Sequence, residues 1–184
     1  MIDGADEGGG WLAGLHREPS PNFDARPKGE APSLLVVHAI SLPPGEFGGD
    51  DVLALFANRL NPERHPYFEG VHQLRVSAHF FIRRDGEIVQ LVSCDERAWH
   101  AGISVWQGRE RCNDFSIGIE LEGGDEIPFE EAQYQALHTL VRLLVQRYPL
   151  THIAAHSDIS PGRKTDPGPF FEWNRIADLP LSRT

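Results

Sequence analysis

A β-strand that carries a buried-type carboxylate is predicted by residues 115–121, which read FSIGIEL. Apolar residues there alternate with Ser116, Gly118 and Glu120, the period-two pattern of a strand whose two faces carry different side chains. Because Glu120 shares its face with two small residues, we expect open space beside its carboxylate, as in a pocket. The competing interpretation is a surface carboxylate on the open face of an edge strand.

Three further segments of the chain predict strands. Residues 33–38 form a short apolar, β-branched run that suits a strand covered on both faces. Residues 76–84 and 87–92 are strand-like runs joined by the dipeptide DG at 85–86, one of the strongest short signals for a β-hairpin. A last strand is predicted at 153–156.

Helical spacing of apolar residues appears between these strands. Residues 51–60 suit a short helix with Asp50 as its cap, and 129–148 predict a long helix that Pro149 ends. We expect a terminal helix at 170–177. Helices interleaved with strands predict an α/β fold in which a mixed central β-sheet is flanked by helices.

Length and charge limit what the chain can do. Its 184 residues, 40% of them hydrophobic, suit one domain, which we place at residues 11–184 after a mobile, glycine-rich segment at 1–10. Acidic residues outnumber basic ones by 27 to 17, so nucleic acid, which needs a basic surface, is not an expected partner.

The expected location is the cytoplasm. No apolar run reaches the length of about 18 residues that a membrane span needs, and the first ten residues are acidic where a secretory signal is basic and then apolar. Only Cys94 and Cys112 are present, outside any CxxC pattern, and we interpret them as reduced thiols.

Polar residues at the ends of apolar runs indicate a shared metal site. His38 closes one run, Glu120 lies within another, and the loop at 156–168 carries His156 together with two aspartates and a lysine. Burying such groups without partners costs about 1–3 kcal/mol or more each. One bound ion would compensate for all of them.

The spacing of the histidines selects among them. His152 and His156 lie four apart in a segment that we expect to be extended, which separates their side chains by roughly 13 Å, too far for one ion. His156 opens the loop and is the better candidate. Asp158 and Asp166 remain equal candidates for a third ligand. Two imidazoles and one carboxylate would leave zinc one open position, as in catalytic sites.

Several segments in the same order resemble the type 2 N-acetylmuramoyl-L-alanine amidases. The resemblance is nearest to members that act on 1,6-anhydro-N-acetylmuramyl peptides in cytoplasmic peptidoglycan recycling, and it covers nearly all of residues 11–180. The matching segments are VVH (36–38), SAHF (77–80), RRDGEIVQ (83–90), AWHAG (98–102), SIGIELEG (116–123) and RKTDPGP (163–169).

The resemblance implies a ligand set and a catalytic pair. It implies that His38, His156 and Asp166 bind one Zn²⁺ per chain, which favours the second of the two candidate aspartates. It also implies that Glu120 acts as the general base and acid, and that Lys164 stabilises the developing oxyanion.

Substrate contacts follow from the resemblance as well. It implies that Arg75 and Arg111 hold carboxylates of a peptide, and that His100 and Ala155 belong to the substrate-binding region. The chain departs from the family pattern at Ala39, where members often carry asparagine directly after the first metal histidine. Ala39 lacks the amide that would make one polar contact to the substrate, and this departure does not affect the metal ligands.

The activity implied is hydrolysis of the amide that joins the lactyl carbonyl of a muramic acid to L-alanine of the stem peptide. The expected partner is a small anhydromuropeptide, with no membrane and no second chain, so the protein would act as a monomer. Two alternatives differ in class: a peptidoglycan receptor that binds without cutting, and an exported autolysin that acts on the intact wall.

Overall fold

A computed structural model describes residues 8–183, and its central feature is a mixed sheet. The strands are β1 (His16–Arg17), β2 (Phe23–Ala25), β3 (Leu34–Ile40), β4 (Phe80–Ile82), β5 (Ile88–Gln90), β6 (Glu96–Ala98), β7 (Val105–Trp106), β8 (Arg109–Glu110), β9 (Ser116–Glu122) and β10 (His152–Ala155). Six of them form the main sheet in the order β1-β5-β4-β9-β3-β10. All neighbouring pairs in it are parallel except β4 and β5. The prediction of a mixed central sheet is confirmed.

Helices and short turns of helix connect the strands. They are α1 (Asp51–Phe56), α2 (Pro66–Glu69), α3 (Glu131–Val145) and α4 (His156–Ile159), with 3₁₀ turns at Pro62–Arg64, Cys112–Phe115 and Trp173–Ile176.

The long helix α3 covers one face of the sheet. Its buried stripe, which includes Leu137, Val141 and Leu144, packs on Ile117 and Ile119 of β9. Full burial of each such side chain is worth about 1.5–3 kcal/mol, so this face carries much of the hydrophobic stabilisation. The opposite face, covered by α1 and by loops, is therefore the one available for polar chemistry.

The strand register brings polar residues together on that opposite face. His38 in β3 is paired with Glu120 in β9, and Ala155, the last residue of β10, is paired with Val37. Because β3 and β10 are parallel, His156 follows its strand directly beside the end of β3. The β9 strand lies between β4 and β3, so the interpretation of Glu120 as an edge-strand carboxylate is wrong.

Most predicted elements are confirmed, with changes at their ends. The β4–β5 hairpin forms around the DG dipeptide, but its strands are shorter than predicted at both ends, and residues 83–87 form the turn. Asp50 occupies the cap position of α1 without a side-chain capping bond, since its carboxylate accepts a hydrogen bond from Arg83 at 2.6 Å. The predicted terminal α-helix at 170–177 is wrong: only a 3₁₀ turn forms there.

The remaining predictions concern the N-terminal segment, membrane spans and the cysteines. Residues 1–7 of the segment predicted to be mobile lie outside the described residues, whereas the carbonyls of Gly9 and Gly10 accept hydrogen bonds from Ser93 and from Cys94. Among residues 8–183, no helix has both the length and the apolar character to cross a bilayer. Cys94 and Cys112 are both buried and unpaired, as predicted.

Candidate metal centre and active site

Three side chains converge where β3, β10 and the following loop meet. The Nδ1 atoms of His38 and His156 lie 2.9 Å apart. Oδ2 of Asp166 lies 3.2 Å from Nδ1 of His38 and 3.0 Å from Nδ1 of His156. The structure therefore brings together all three residues that the resemblance implies as ligands, and their donor atoms form a nearly equilateral triangle.

The triangle has the dimensions and chemistry of a zinc site. Ligands at about 2.0–2.1 Å from a tetrahedral zinc lie about 3.3 Å from one another, close to the separations found here. The Nε2 atom of His156 lies 3.2 Å from the carbonyl oxygen of Ala101, which can only accept, so Nε2 carries the proton of that ring. Nδ1 of His156 then directs a lone pair at the carboxylate of Asp166. A cation fits between such groups.

Burial sets the protonation of two of these groups. Loss of water around His38 lowers the pKa of its imidazole to about 4, so the ring is neutral at pH 7. Burial alone would raise the pKa of Asp166, but without a metal the adjacent imidazoles of His156 and His38 act in the opposite direction and hold this pKa well below its usual range. A neutral imidazole and an ionised carboxylate are the forms that bind zinc.

The loop that supplies the third donor excludes the other aspartate. Oδ2 of Asp158 accepts a hydrogen bond from the backbone N–H of Ala155 at 2.8 Å and lies outside the triangle. His152, four residues before His156, contacts the ring of Trp106 instead. The prediction that His152 and His156 do not share an ion agrees with this placement.

Glu120 lies beside the triangle with one oxygen unpaired. Its Oε1 is 4.0 Å from Nδ1 of His38, and its buried Oε2 has no hydrogen-bond partner among the described residues. Burial, with the negative charge of Asp166 adding to it, raises the pKa of Glu120 well above its usual value, although Lys164 opposes the shift. A carboxyl group with a raised pKa holds a proton more readily than a free one, as a general acid and base requires.

Lys164 lies on the exposed loop that leads to Asp166. Its backbone N–H donates to the carbonyl of Ser160 at 3.1 Å, and its ammonium group has no hydrogen-bond or ion-pair partner among residues 8–183. A positive charge that is free at the mouth of a site is available to a negatively charged species bound there.

The polar end of a cavity of about 250 Å³ is formed by Glu120, His156, Lys164 and Asp166. Ala39, the departure from the family pattern, also lines it. A wider depression of about 530 Å³ between the β4–β5 turn and α3 contains none of the candidate site residues, so the smaller cavity is the chemically relevant one. The apolar wall of the smaller cavity consists of Ile40, Leu42, Leu55, Phe56, Tyr67, Val71, Leu74, Val76 and Trp99.

The residues predicted for substrate binding are placed unevenly. His100 lines the cavity, whereas Arg75, Arg111 and Ala155 do not. Arg75 donates to the carbonyls of Gln73 and Leu74 on an exposed segment. Arg111 is 69% exposed in its side chain and faces Asp114, and Ala155 is 2% exposed. The roles of these four residues stay predictions.

Sequence reasoning missed the apolar wall. Tyr67, Val71 and Leu74 come from a segment of short helices and turns without a regular apolar period, so no pattern assigned them to a common surface. No sequence signal marks these residues. The structure does so through exposure, since Tyr67 and Leu74 remain 46% and 47% exposed on one cavity wall.

Comparison with known proteins gives a consistent result. A family model described as Amidase_2: N-acetylmuramoyl-L-alanine amidase matches residues 28–169. The 1,6-anhydro-N-acetylmuramyl-L-alanine amidase AmpD of Citrobacter freundii is 60% identical over 172 residues, 92% of each chain.

Two solved structures resemble the fold. A crystal structure of a selenomethionine AmpD derivative aligns with a TM-score of 0.89 at 58% identity, covering 95% of this chain and 99% of that one. The amidase AmiD of E. coli, in complex with the substrate anhydro-N-acetylmuramic acid-L-Ala-D-gamma-Glu-L-Lys, aligns with a TM-score of 0.62 at 32% identity, covering 85% of this chain and 61% of that one.

Proposed function

This chain belongs to the N-acetylmuramoyl-L-alanine amidase family, and we propose that it hydrolyses the amide between (1,6-anhydro-)N-acetylmuramic acid and the L-alanine of a stem peptide. The name of the AmpD relative and the ligand of the AmiD complex both contain this linkage. The observation that carries the proposal is the triangle of His38, His156 and Asp166 with the unpaired Oε2 of Glu120 beside it.

The triangle would hold one Zn²⁺. When bound there, zinc supplies Lewis acidity to the scissile carbonyl and lowers the pKa of a water molecule from about 15.7 to near 7. His38, His156 and Asp166 contribute one donor atom each and leave room on the cavity side for substrate and water. Three protein ligands with an open position are typical of catalytic sites.

Glu120 moves the protons of the reaction. Its carboxylate accepts a proton from the attacking water and then delivers it to the nitrogen of the leaving L-alanine. The position of the carboxylate supports this role, because its Oε1 lies 4.0 Å from Nδ1 of His38, beside the triangle, and no described residue donates a hydrogen bond to its buried Oε2.

Lys164 stabilises the tetrahedral oxyanion formed from the scissile carbonyl. Lys164 belongs to the cavity lining that contains Glu120, and its ammonium group has no partner among residues 8–183. A positive charge already in place needs no rearrangement when the negative charge develops, and this favours the transition state.

We assign the sugar and the peptide of the substrate to two different kinds of surface. The apolar wall that includes Tyr67 and Trp99 suits the sugar ring, since aromatic side chains pack against apolar faces. Arg75 lies in the sequence between the lining residues Leu74 and Val76, and we assign its guanidinium group to a peptide carboxylate. We assign Arg111 the same role further out.

We further propose that the protein acts as a monomer in cytoplasmic peptidoglycan recycling. The buried, unpaired state of Cys94 and Cys112 supports a reducing compartment. A small soluble anhydromuropeptide is a substrate that such an enzyme would meet in that compartment.

The test compares two substrates under identical conditions. Purified protein is mixed with a soluble anhydromuramyl tripeptide or with intact sacculi, and released peptide is measured by mass spectrometry with and without a chelator. We expect peptide release from the soluble substrate that stops with the chelator. Cleavage of sacculi alone would contradict the proposed substrate, and binding without release would indicate a receptor.

A further inference from the structure

One dipeptide contacts both histidines of the metal triangle. The Nδ1 atom of His100 lies 2.9 Å from Nε2 of His38, and the carbonyl oxygen of Ala101 lies 3.2 Å from Nε2 of His156. Each contact is made to the ring nitrogen that faces away from the triangle. We call residues 100–101 the bracket.

The bracket is itself fixed from outside the site. The side-chain oxygen of Asn113 accepts hydrogen bonds from the backbone N–H of His100 at 3.1 Å and of Ala101 at 2.8 Å. Arg163 donates to the Ala101 carbonyl at 2.7 Å. Both N–H groups and the shared carbonyl are therefore held in place without the metal.

The ring of His100 lies in a closely fitting position over β9. A Cβ at Gly118 would lie 2.4 Å from Cγ of His100, so only glycine leaves room for the imidazole. Nε2 of His100 lies 3.1 Å from Oγ of Ser116, and the residue is 8% exposed. With both ring nitrogens occupied by protein groups, His100 is poorly suited to bind substrate.

We propose that His100 is a positioning residue that, with the Ala101 carbonyl, fixes the orientation and tautomer of both metal histidines. Nε2–H of His38 donates to Nδ1 of His100, and Nε2–H of His156 donates to Ala101, which leaves both Nδ1 atoms free for the ion. Such outer hydrogen bonds typically change metal affinity by 10–100-fold. This inference rests on the proposed zinc site.

The affinity test uses three variants and a chelator competition for Zn²⁺. His100→Phe keeps a ring of similar size but removes the acceptor, and we expect its zinc affinity to fall about 10–100-fold. His100→Asn places an amide oxygen near the position of Nδ1 and should recover most of the loss. His16→Phe, which changes an exposed histidine of β1, is the matched control and should bind zinc like the wild type.

A measurement on the unaltered protein does not depend on how the variants fold. In ¹⁵N-labelled, zinc-loaded protein we expect a scalar coupling across the hydrogen bond between Nε2 of His38 and Nδ1 of His100. A zinc-bound Nε2 in His38, or wild-type affinity in folded His100→Phe, would overturn the inference while leaving the zinc site intact. A wild-type protein that binds no zinc would remove the proposed function as well.

Discussion

His38 and Glu120 are directly opposite each other in the register of β3 and β9, and Oε1 of Glu120 lies 4.0 Å from Nδ1 of His38. Two neighbouring parallel strands in the centre of the sheet thus set the distance between the proposed base and the first ligand. His156, Lys164 and Asp166 come from the segment after β10. The sheet therefore provides a fixed half of the site, and the loop completes it.

Replacement of Lys164 tests oxyanion stabilisation. We expect Lys164→Ala to fold and keep its zinc but to turn over anhydromuropeptide at least tenfold more slowly, since loss of one such stabiliser typically costs ~10²–10³ in turnover. Lys28→Ala removes the other lysine of the chain, in an exposed loop, and should leave the rate unchanged. Steady-state kinetics measure the turnover of each variant, and metal analysis measures its zinc content. Near wild-type turnover in Lys164→Ala would remove lysine from the mechanism.

Glu120→Gln is expected to lose activity and to stabilise the metal-free protein. Because burial raises the pKa of Glu120, its ionised form destabilises the fold at pH 7, and this cost disappears below the unfolded-state value of about 4.3. We expect the Tm of the chelated variant to exceed that of the wild type at pH 7. The difference should vanish near pH 4. Normal hydrolysis by this variant would exclude Glu120 as the base.

The metal-free protein should lose stability steeply in mild acid. Burial lowers the pKa of His38 to about 4 and that of His79 to about 3, whereas both histidines take up protons near pH 6.5 in the unfolded chain. Each proton bound only by the unfolded chain corresponds to a slope of ~1.4 kcal/mol per pH unit below 6.5. Burial also lowers the pKa of His100 well below its usual value and so adds to the slope, whereas the raised pKa of Glu120 acts in the opposite direction. Urea unfolding of chelated protein between pH 7 and 5 measures it. A free energy of unfolding that stays constant over this range would contradict the burial of neutral histidines.

We expect Glu122 to stabilise the loop that contains Gly48, beside the cavity. Its buried carboxylate accepts hydrogen bonds from the N–H of Gly48 at 2.7 Å and of Arg84 at 3.0 Å. Glu122→Gln replaces one acceptor oxygen by a donor and should lower the free energy of unfolding by about 1–3 kcal/mol. Glu46→Gln, on the exposed part of the same loop, should have no effect. Equal unfolding midpoints for the two variants in urea would show that Glu122 carries no such role.

The strands and the long helix were predictable because their patterns are local. Alternation in residues 115–121 and the apolar stripe of 129–148 each reflect one element packing on one core, so β9 and α3 follow directly. The segment 170–177 was misassigned because Phe171 and Ile176 pack separately into the core beneath α3. That tertiary packing requires no continuous helix.

The site was only partly predictable for a related reason. The spacing of the residues could not show whether Asp158 or Asp166 is the third ligand. The two differ because the carboxylate of Asp158 accepts a hydrogen bond from the backbone N–H of Ala155. The space expected beside Glu120 exists at Gly118, but the ring of His100 fills it. Both facts depend on residues distant in sequence that meet only in the fold.

The measurement that tests the central claim most directly is elemental analysis of a fully active preparation, combined with removal and return of the metal. We expect one zinc per chain, loss of amide hydrolysis after chelation, and recovery of the original rate when stoichiometric zinc is restored. Full activity in protein shown to contain no zinc or other divalent ion would contradict the account, because His38, His156 and Asp166 would then have no common partner.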